Sequence, residues 1–122
     1  MSEQLSIIRY RPRIITLKDD LEVFGEVEEI TPNVAKIILW DPDFLHYHES
    51  AEETYIGAEG EGEIFLDGEI FQFTPGIRVV IRPRIIHAAR PKNFLDQLVF
   101  LCLSSPCFNP DDVHNDPRGR EW

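Results

Sequence analysis

The chain is short of positive charge, of cysteine and of long apolar runs, and each shortage removes a class of function. Twelve Lys and Arg stand against 22 Asp and Glu, for a formal net charge of −10. A surface this acidic does not settle on nucleic-acid phosphates or on anionic lipid, so neither nucleic acid nor a membrane is expected as a partner. No stretch approaches the roughly 20 apolar residues of a bilayer-spanning helix. The opening "MSEQLSIIRYRPR" lacks the basic-then-apolar order of a secretion signal, so a cytoplasmic location is the expectation. The two cysteines, Cys102 and Cys107, are too few for a disulfide framework or a structural zinc site, and both are expected to be reduced. Cys102 reads as a small apolar strand residue. Also missing are a Gly-x-Ser-x-Gly elbow, a phosphate-cradling glycine loop and a Cys-x-x-Cys pair, which leaves serine-hydrolase, P-loop and thioredoxin-like chemistry without support.

Apolar residues at helical spacing are nearly absent as well. Prolines and glycines cut the chain into short pieces, and those pieces read as strands: "SIIRY", "RIITL", "LEVFGEVEEI", "VAKIILW", "ETYIGA", "GEIFL", "EIFQF", "IRVVI", "HAAR" and "LVFLCLSS". Their number and spacing predict an all-β sandwich or barrel. In "EIFLDGEIFQF" the pair Asp67-Gly68 separates two runs rich in Ile and Phe, which predicts a β-hairpin closed by a type I′ turn, because both central positions of that turn need positive φ. The 122 residues are one domain's worth. Residues 106–122, "PCFNPDDVHNDPRGREW", hold little periodic apolar content and are expected to form an extended arm lying on the barrel or partly disordered.

Of four histidines, two form "HYH" at His46 and His48, followed by Glu52-Glu53. On a strand, positions i and i+2 point to one face, so these two rings can approach one ion from one side. Glu53 opens the next predicted strand, and His87 follows the hairpin; three imidazoles and a carboxylate could converge inside a barrel. Tyr55 shares the parity of Glu53 and is a candidate to orient that carboxylate or to donate to a ligand oxygen, or else a core aromatic. Glu52 has the opposite parity and should face solvent. His114, in the polar tail, is left out of the site.

The pattern His46-x-His48-x4-Glu53-x6-Gly60, followed after the hairpin by Pro75-Gly76 and then His87 eleven residues beyond the glycine, resembles the two motifs of the cupin family, over residues 30 to 105. The resemblance implies an all-β double-stranded β-helix, the cupin jelly-roll barrel, as a single domain over 1–122, usually a homodimer. It implies one divalent transition-metal ion per chain (Fe, Mn, Ni or Zn) held by His46, His48, Glu53 and His87. The donor types agree: nitrogen ligands with one carboxylate suit such ions, and four protein ligands on an octahedral ion leave two open positions for substrate, water or dioxygen. Small one-domain cupins include dioxygenases, isomerases and lyases, so the expectation is a metalloenzyme acting on a small polar or anionic organic molecule. The alternative is a non-catalytic module that binds a small ligand or metal.

Two departures from the family pattern matter. Trp40 stands where the first motif usually opens with glycine, and Arg84 stands where the second usually has glycine before its histidine, so that turn is expected to be built differently. Residues 37 to 77 contain ten Asp or Glu and no Lys or Arg, whereas residues 77 to 92 contain five cations and no acid. Cross-strand pairing of Arg78 and Arg82 with Glu61, Glu63 or Glu69 accounts for the contrast in the simplest way. The functional alternative has Arg84, or less readily Arg90, reaching the barrel mouth beside His87 to hold a substrate carboxylate, enolate or phosphate.

Overall fold

In a computed structural model, which describes residues 14–93 and 96–122, the chain forms two antiparallel sheets. The strands are β1 (Ile14–Thr16), β2 (Glu22–Thr31), β3 (Val34–Leu39), β4 (His46–Tyr47), β5 (Glu52–Glu59), β6 (Gly62–Leu66), β7 (Glu69–Phe73), β8 (Arg78–Ile81), β9 (His87–Pro91), β10 (Leu98–Ser105) and β11 (His114–Asn115). One sheet has the order β1-β2-β3-β10-β5-β8 and the other β11-β4-β9-β6-β7. The jelly roll predicted from the sequence is the fold observed. The predicted strand "SIIRY" lies outside the described residues.

Alternation places the core. Along β5, Glu53, Tyr55 and Gly57 are buried while Glu52 is exposed, as the parity of the sequence requires. The main cluster joins the sheets through Val23, Leu39, Tyr55, Ile64, Phe73, Ile81, Leu98 and Phe100. Within it the Tyr55 ring lies 4.7 Å from Phe100, which in turn meets Phe73 at 5.5 Å. The β6–β7 hairpin pairs Leu66 with Glu69, and Asp67 and Gly68 take φ of 47° and 96°, the two positive values of a type I′ turn. Gly60 is required on two counts: its φ is 77°, and a Cβ there would stand 2.0 Å from the Gln97 carbonyl oxygen.

Three expectations are corrected. The histidine pair does not lie within a full strand, because β4 holds only His46 and Tyr47. The turn before His87 uses Arg84 in the glycine conformation, with φ of 71°, instead of avoiding it. Its N–H donates to the His48 carbonyl at 2.7 Å, a bond that holds the turn in that conformation. The cross-strand charge pairs form, but through other cations: Arg90 meets Glu63 at 3.0 Å and Lys92 meets Glu61 at 3.5 Å, because β6–β9 register sets Glu63 opposite Arg90.

Residues 106–122 lie on the barrel. A 3-10 turn at Pro110–Asp112 precedes β11, which pairs with β4. Trp122 packs edge-on against Phe65, Arg90 lies over the Trp122 ring at 4.2 Å, and Arg120 reaches Asp41 at 2.9 Å.

Candidate metal centre

Three strands and one loop bring the candidate ligands together. His46 comes from β4 and pairs directly with His87 at the start of β9; His48 follows β4, and Glu53 lies at the start of β5. One potential ligand atom from each of the four residues falls within 4.8 Å of the others. His48 Nε2 is 3.0 Å and His87 Nε2 is 3.2 Å from the same oxygen, Glu53 Oε1. An ion with bonds of about 2.1 Å would set neighbouring donors about 3 Å apart, so these spacings suit a shared ion. The ring centroids of His46 and His87 are 4.4 Å apart.

All three imidazoles are oriented the same way by the backbone. His46 Nδ1 faces the Phe44 carbonyl at 2.7 Å, His48 Nδ1 that of Asp112 at 3.0 Å, and His87 Nδ1 that of Ile85 at 2.8 Å. A carbonyl can only accept, so each Nδ1 carries the proton and each Nε2 of a neutral ring is left with a lone pair. For His87 that lone pair points at a carboxylate oxygen, and the same oxygen stands 3.0 Å from His48 Nε2, outside hydrogen-bond alignment. A neutral imidazole facing acceptors on both nitrogens is repelled by one of them; a second proton or a metal ion on Nε2 removes the conflict. His48 Nε2 is buried and has no hydrogen-bond partner, which fits a ligand nitrogen.

Glu53 is held from its other side. Ser104 Oγ donates to Oε2 at 3.2 Å and Cys102 Sγ at 3.3 Å. The β5–β10 register, which sets Ser104 opposite Glu53 and Cys102 opposite Tyr55, puts both donors there. Burial pushes the Glu53 carboxyl up, but the His48 and His87 side chains outweigh it and hold it well below the usual carboxylate range. For His48, burial pulls downward and the Glu53 carboxylate more than reverses it, leaving the ring above its ordinary value. Burial, reinforced by neighbouring His87, pushes His46 down to about 3. Cys102 is raised by burial and then by the Glu53 charge, so its thiol stays protonated and donates.

His46, His48 and Glu53 line a cavity of about 640 Å³ whose walls also include Leu17, Val27, Ile37, Phe44, Phe108 and Val113. Tyr55 also lines it; its ring meets His87 at 5.8 Å, and its hydroxyl is raised well above 10 by burial and by Glu53. Arg84 is not among the lining residues. Its side chain is 78% exposed and lies 3.7 Å from Glu49. Arg90 is also absent from the lining and is engaged by Glu63 and Trp122. Lys18 is the one lysine or arginine among the described lining residues.

Asp43 is a cavity residue that sequence reasoning passed over. Its carboxylate accepts the Phe44 N–H at 2.7 Å, and burial raises it to about 6 against that bond. In the sequence it is one of two acids in "DPDF", which reads as a solvated turn. Nothing local distinguishes it from Asp41; only the folded barrel turns it toward the site. Cys102 and Ser104 were legible only as alternate strand residues, and their shared face was the one available signal.

No family model matches the chain. An uncharacterized protein of Aquifex aeolicus is 28% identical over 117 residues, which cover 87% of this chain and 95% of that one. Among solved structures, a Streptomyces Pac13 variant with uridine superposes with a TM-score of 0.63 at 15% identity, over 86% of this chain and 84% of its own; Pac13 is a nucleoside dehydratase. A Klebsiella pneumoniae protein with a double-stranded β-helix domain gives 0.56 at 17% identity, over 80% of this chain and 84% of that one. KdgF from Halomonas gives 0.51 at 19% identity, over 66% and 77%.

Proposed function

We propose that this cupin-like double-stranded β-helix is a metal-dependent enzyme acting on a small organic molecule, with one divalent transition-metal ion (Fe, Mn, Ni or Zn) held by His46, His48, Glu53 and His87. The observation that carries the reading is the double-acceptor environment of His48 and His87, each with a carbonyl at Nδ1 and the same Glu53 oxygen at Nε2. Two rings arranged in this way call for positive charge at one point, and the His48 and Glu53 side chains that flank it line a cavity large enough for a small substrate. A bound ion there supplies Lewis-acid polarisation of a substrate oxygen and open coordination positions.

The residues divide the remaining work. Ser104 and Cys102 fix the Glu53 carboxylate, and the three backbone carbonyls fix the rings, so the donor set is held in place before any ion arrives. Asp43, whose carboxyl burial raises to about 6, can hold or release a proton at the cavity wall. Tyr55 can donate its hydroxyl hydrogen to a ligand oxygen. Leu17, Val27, Ile37 and Phe44 exclude water from the substrate body.

The wall composition bears on substrate class. With Asp43 and Glu53 inside and a lysine as the one lining cation among the described residues, the cavity offers no two-pronged anion clamp. A neutral molecule with one oxygen-rich end and an apolar body fits it better than a carboxylate or phosphate. A proton-transferring residue beside the ion favours lyase or isomerase chemistry, and the dehydration carried out by fold neighbour Pac13 on a nucleoside places dehydration among the reactions to assay first. The test is turnover of neutral hydroxy-carbonyl compounds and nucleosides by metal-loaded protein, with oxygen uptake followed in parallel. Turnover lost on chelation and restored by one of the four ions supports the reading. Metal-loaded protein that binds such molecules without converting them is a binding module, and the enzyme reading fails.

A further inference from the structure

We propose that Asp112, on the arm of residues 106–122, is a positioning residue for the metal centre. The inference rests on the metal-site reading above and extends it to a residue 64 positions from His48 in the chain. Two parts of Asp112 act on one loop. Its main-chain carbonyl takes the His48 Nδ1 hydrogen at 3.0 Å. Its carboxylate takes the backbone N–H groups that follow: Glu49 on Oδ1 at 2.9 Å, then Ser50 and Ala51 on Oδ2 at 3.1 and 3.3 Å.

Residues 49 to 51 are most of the link between ligand His48 and ligand Glu53. Three consecutive amides in a turn have no sheet partner, and a carboxylate bound to all three fixes the path of that link and so the separation of its two ends. The same residue therefore sets the ring orientation of one ligand and the spacing to the next. The arm is itself fastened to the site's scaffold: His114 pairs with Tyr47 and Asn115 with His46 in the β11–β4 ladder, and the His114 ring stacks on Tyr47 at 5.0 Å. His114 Nε2 also lies 3.6 Å from Asp112 Oδ1. Because Phe108 and Val113 from the same arm line the cavity, its docking both steadies the ligand His48 and adds to the wall. Linkage makes the relation reciprocal: an arm that improves ion binding when docked must itself be docked more firmly when the ion is bound.

The experiment titrates Zn(II) into full-length, untagged, chelator-stripped protein. In Asp112→Ala, affinity should fall about tenfold to a hundredfold, the range expected when the support of a metal ligand is removed. Asp112→Asn, which keeps one acceptor oxygen, should lose less and guards against a folding failure of the alanine variant. Asp116→Asn, whose wild-type carboxylate faces Arg118 on the same arm, should bind Zn(II) as wild type does. In the metal-free protein, amide exchange at Ser50 and Ala51 should quicken, and the His48 ring nitrogens should shift in Asp112→Ala; a variant that only loosened the fold would not single out these positions. Zn(II) binding by Asp112→Ala within twofold of wild type overturns the proposal. Wild-type protein that takes up no Zn(II) overturns the metal reading instead, and the exchange and ring-nitrogen data then decide the positioning role alone.

Discussion

Replacing Arg84 with glycine should make the protein more stable. At φ of 71°, Arg84 occupies the left-handed region, where an L-residue is disfavoured by roughly 1–2 kcal/mol. Its side chain returns little: it is 78% exposed, and its ion pair with Glu49 at 3.7 Å is of the solvated kind that contributes next to nothing. The bond from its N–H to the His48 carbonyl at 2.7 Å belongs to the backbone and survives the change. Against the gain stands glycine's greater freedom in the unfolded chain, which takes back about 0.4–1 kcal/mol. The balance is a gain of about 0.5–1 kcal/mol, or a rise in Tm of about 2–4 °C for a chain of this size. Urea unfolding of metal-free Arg84→Gly and wild type should show a higher midpoint with an unchanged slope, and both proteins should carry the same amount of metal. A lower midpoint would mean that the arginine side chain makes a contribution its exposed position does not account for. Reduced affinity for an anionic ligand with metal content intact would bring back the substrate-anchor reading of Arg84.

Three further outcomes follow from the site. Ser104→Ala removes one of two donors to Glu53 Oε2; metal affinity measured by calorimetry should drop about tenfold, and metal-free stability by about 1.5–3 kcal/mol, since the lost hydrogen bond is to a charged acceptor. Metal uptake should weaken on acidification below the raised pKa of His48, approaching one decade per pH unit for the proton displaced from that ring. The stability of the metal-free fold carries opposite contributions from the two rings of "HYH". His48, raised in the fold, contributes stability that is fully present below 6.5 and lost as pH rises through its folded value, whereas His46, lowered to about 3, makes the fold less stable as pH falls from 6.5 toward 3. Denaturation of chelated wild type and His46→Gln at pH 7 and pH 5 isolates the second: the wild type should lose about 2 kcal/mol more than the variant on acidification. Equal losses would show that His46 is not buried as a neutral ring.

What could be read from the sequence was whatever a local pattern encodes. Asp67-Gly68 between two apolar runs specifies its turn by the φ values it demands, and the parity of Glu52, Glu53 and Tyr55 specifies which of them turns inward. The four candidate ligands were legible because their spacing repeats across a family. The supporting residues were not: Ser104 meets Glu53 across 51 positions, Asp112 meets His48 across 64, and Asp43 reaches the cavity from a turn. Such pairs are made by strand register and by the path of the arm, and no short window contains both partners. Arg84 shows the limit from the other side. The sequence marks the position as one that asks for glycine, but only the backbone shows that arginine adopts glycine's conformation there and leaves its charge outside.

Everything proposed for the cavity depends on three histidines and one glutamate holding an ion. Metal analysis of protein purified without a histidine tag should find close to one transition-metal ion per chain, lost in Glu53→Ala and in His48→Ala. Wild-type protein that emerges metal-free and takes up none of Fe(II), Mn(II), Ni(II) or Zn(II) would contradict it.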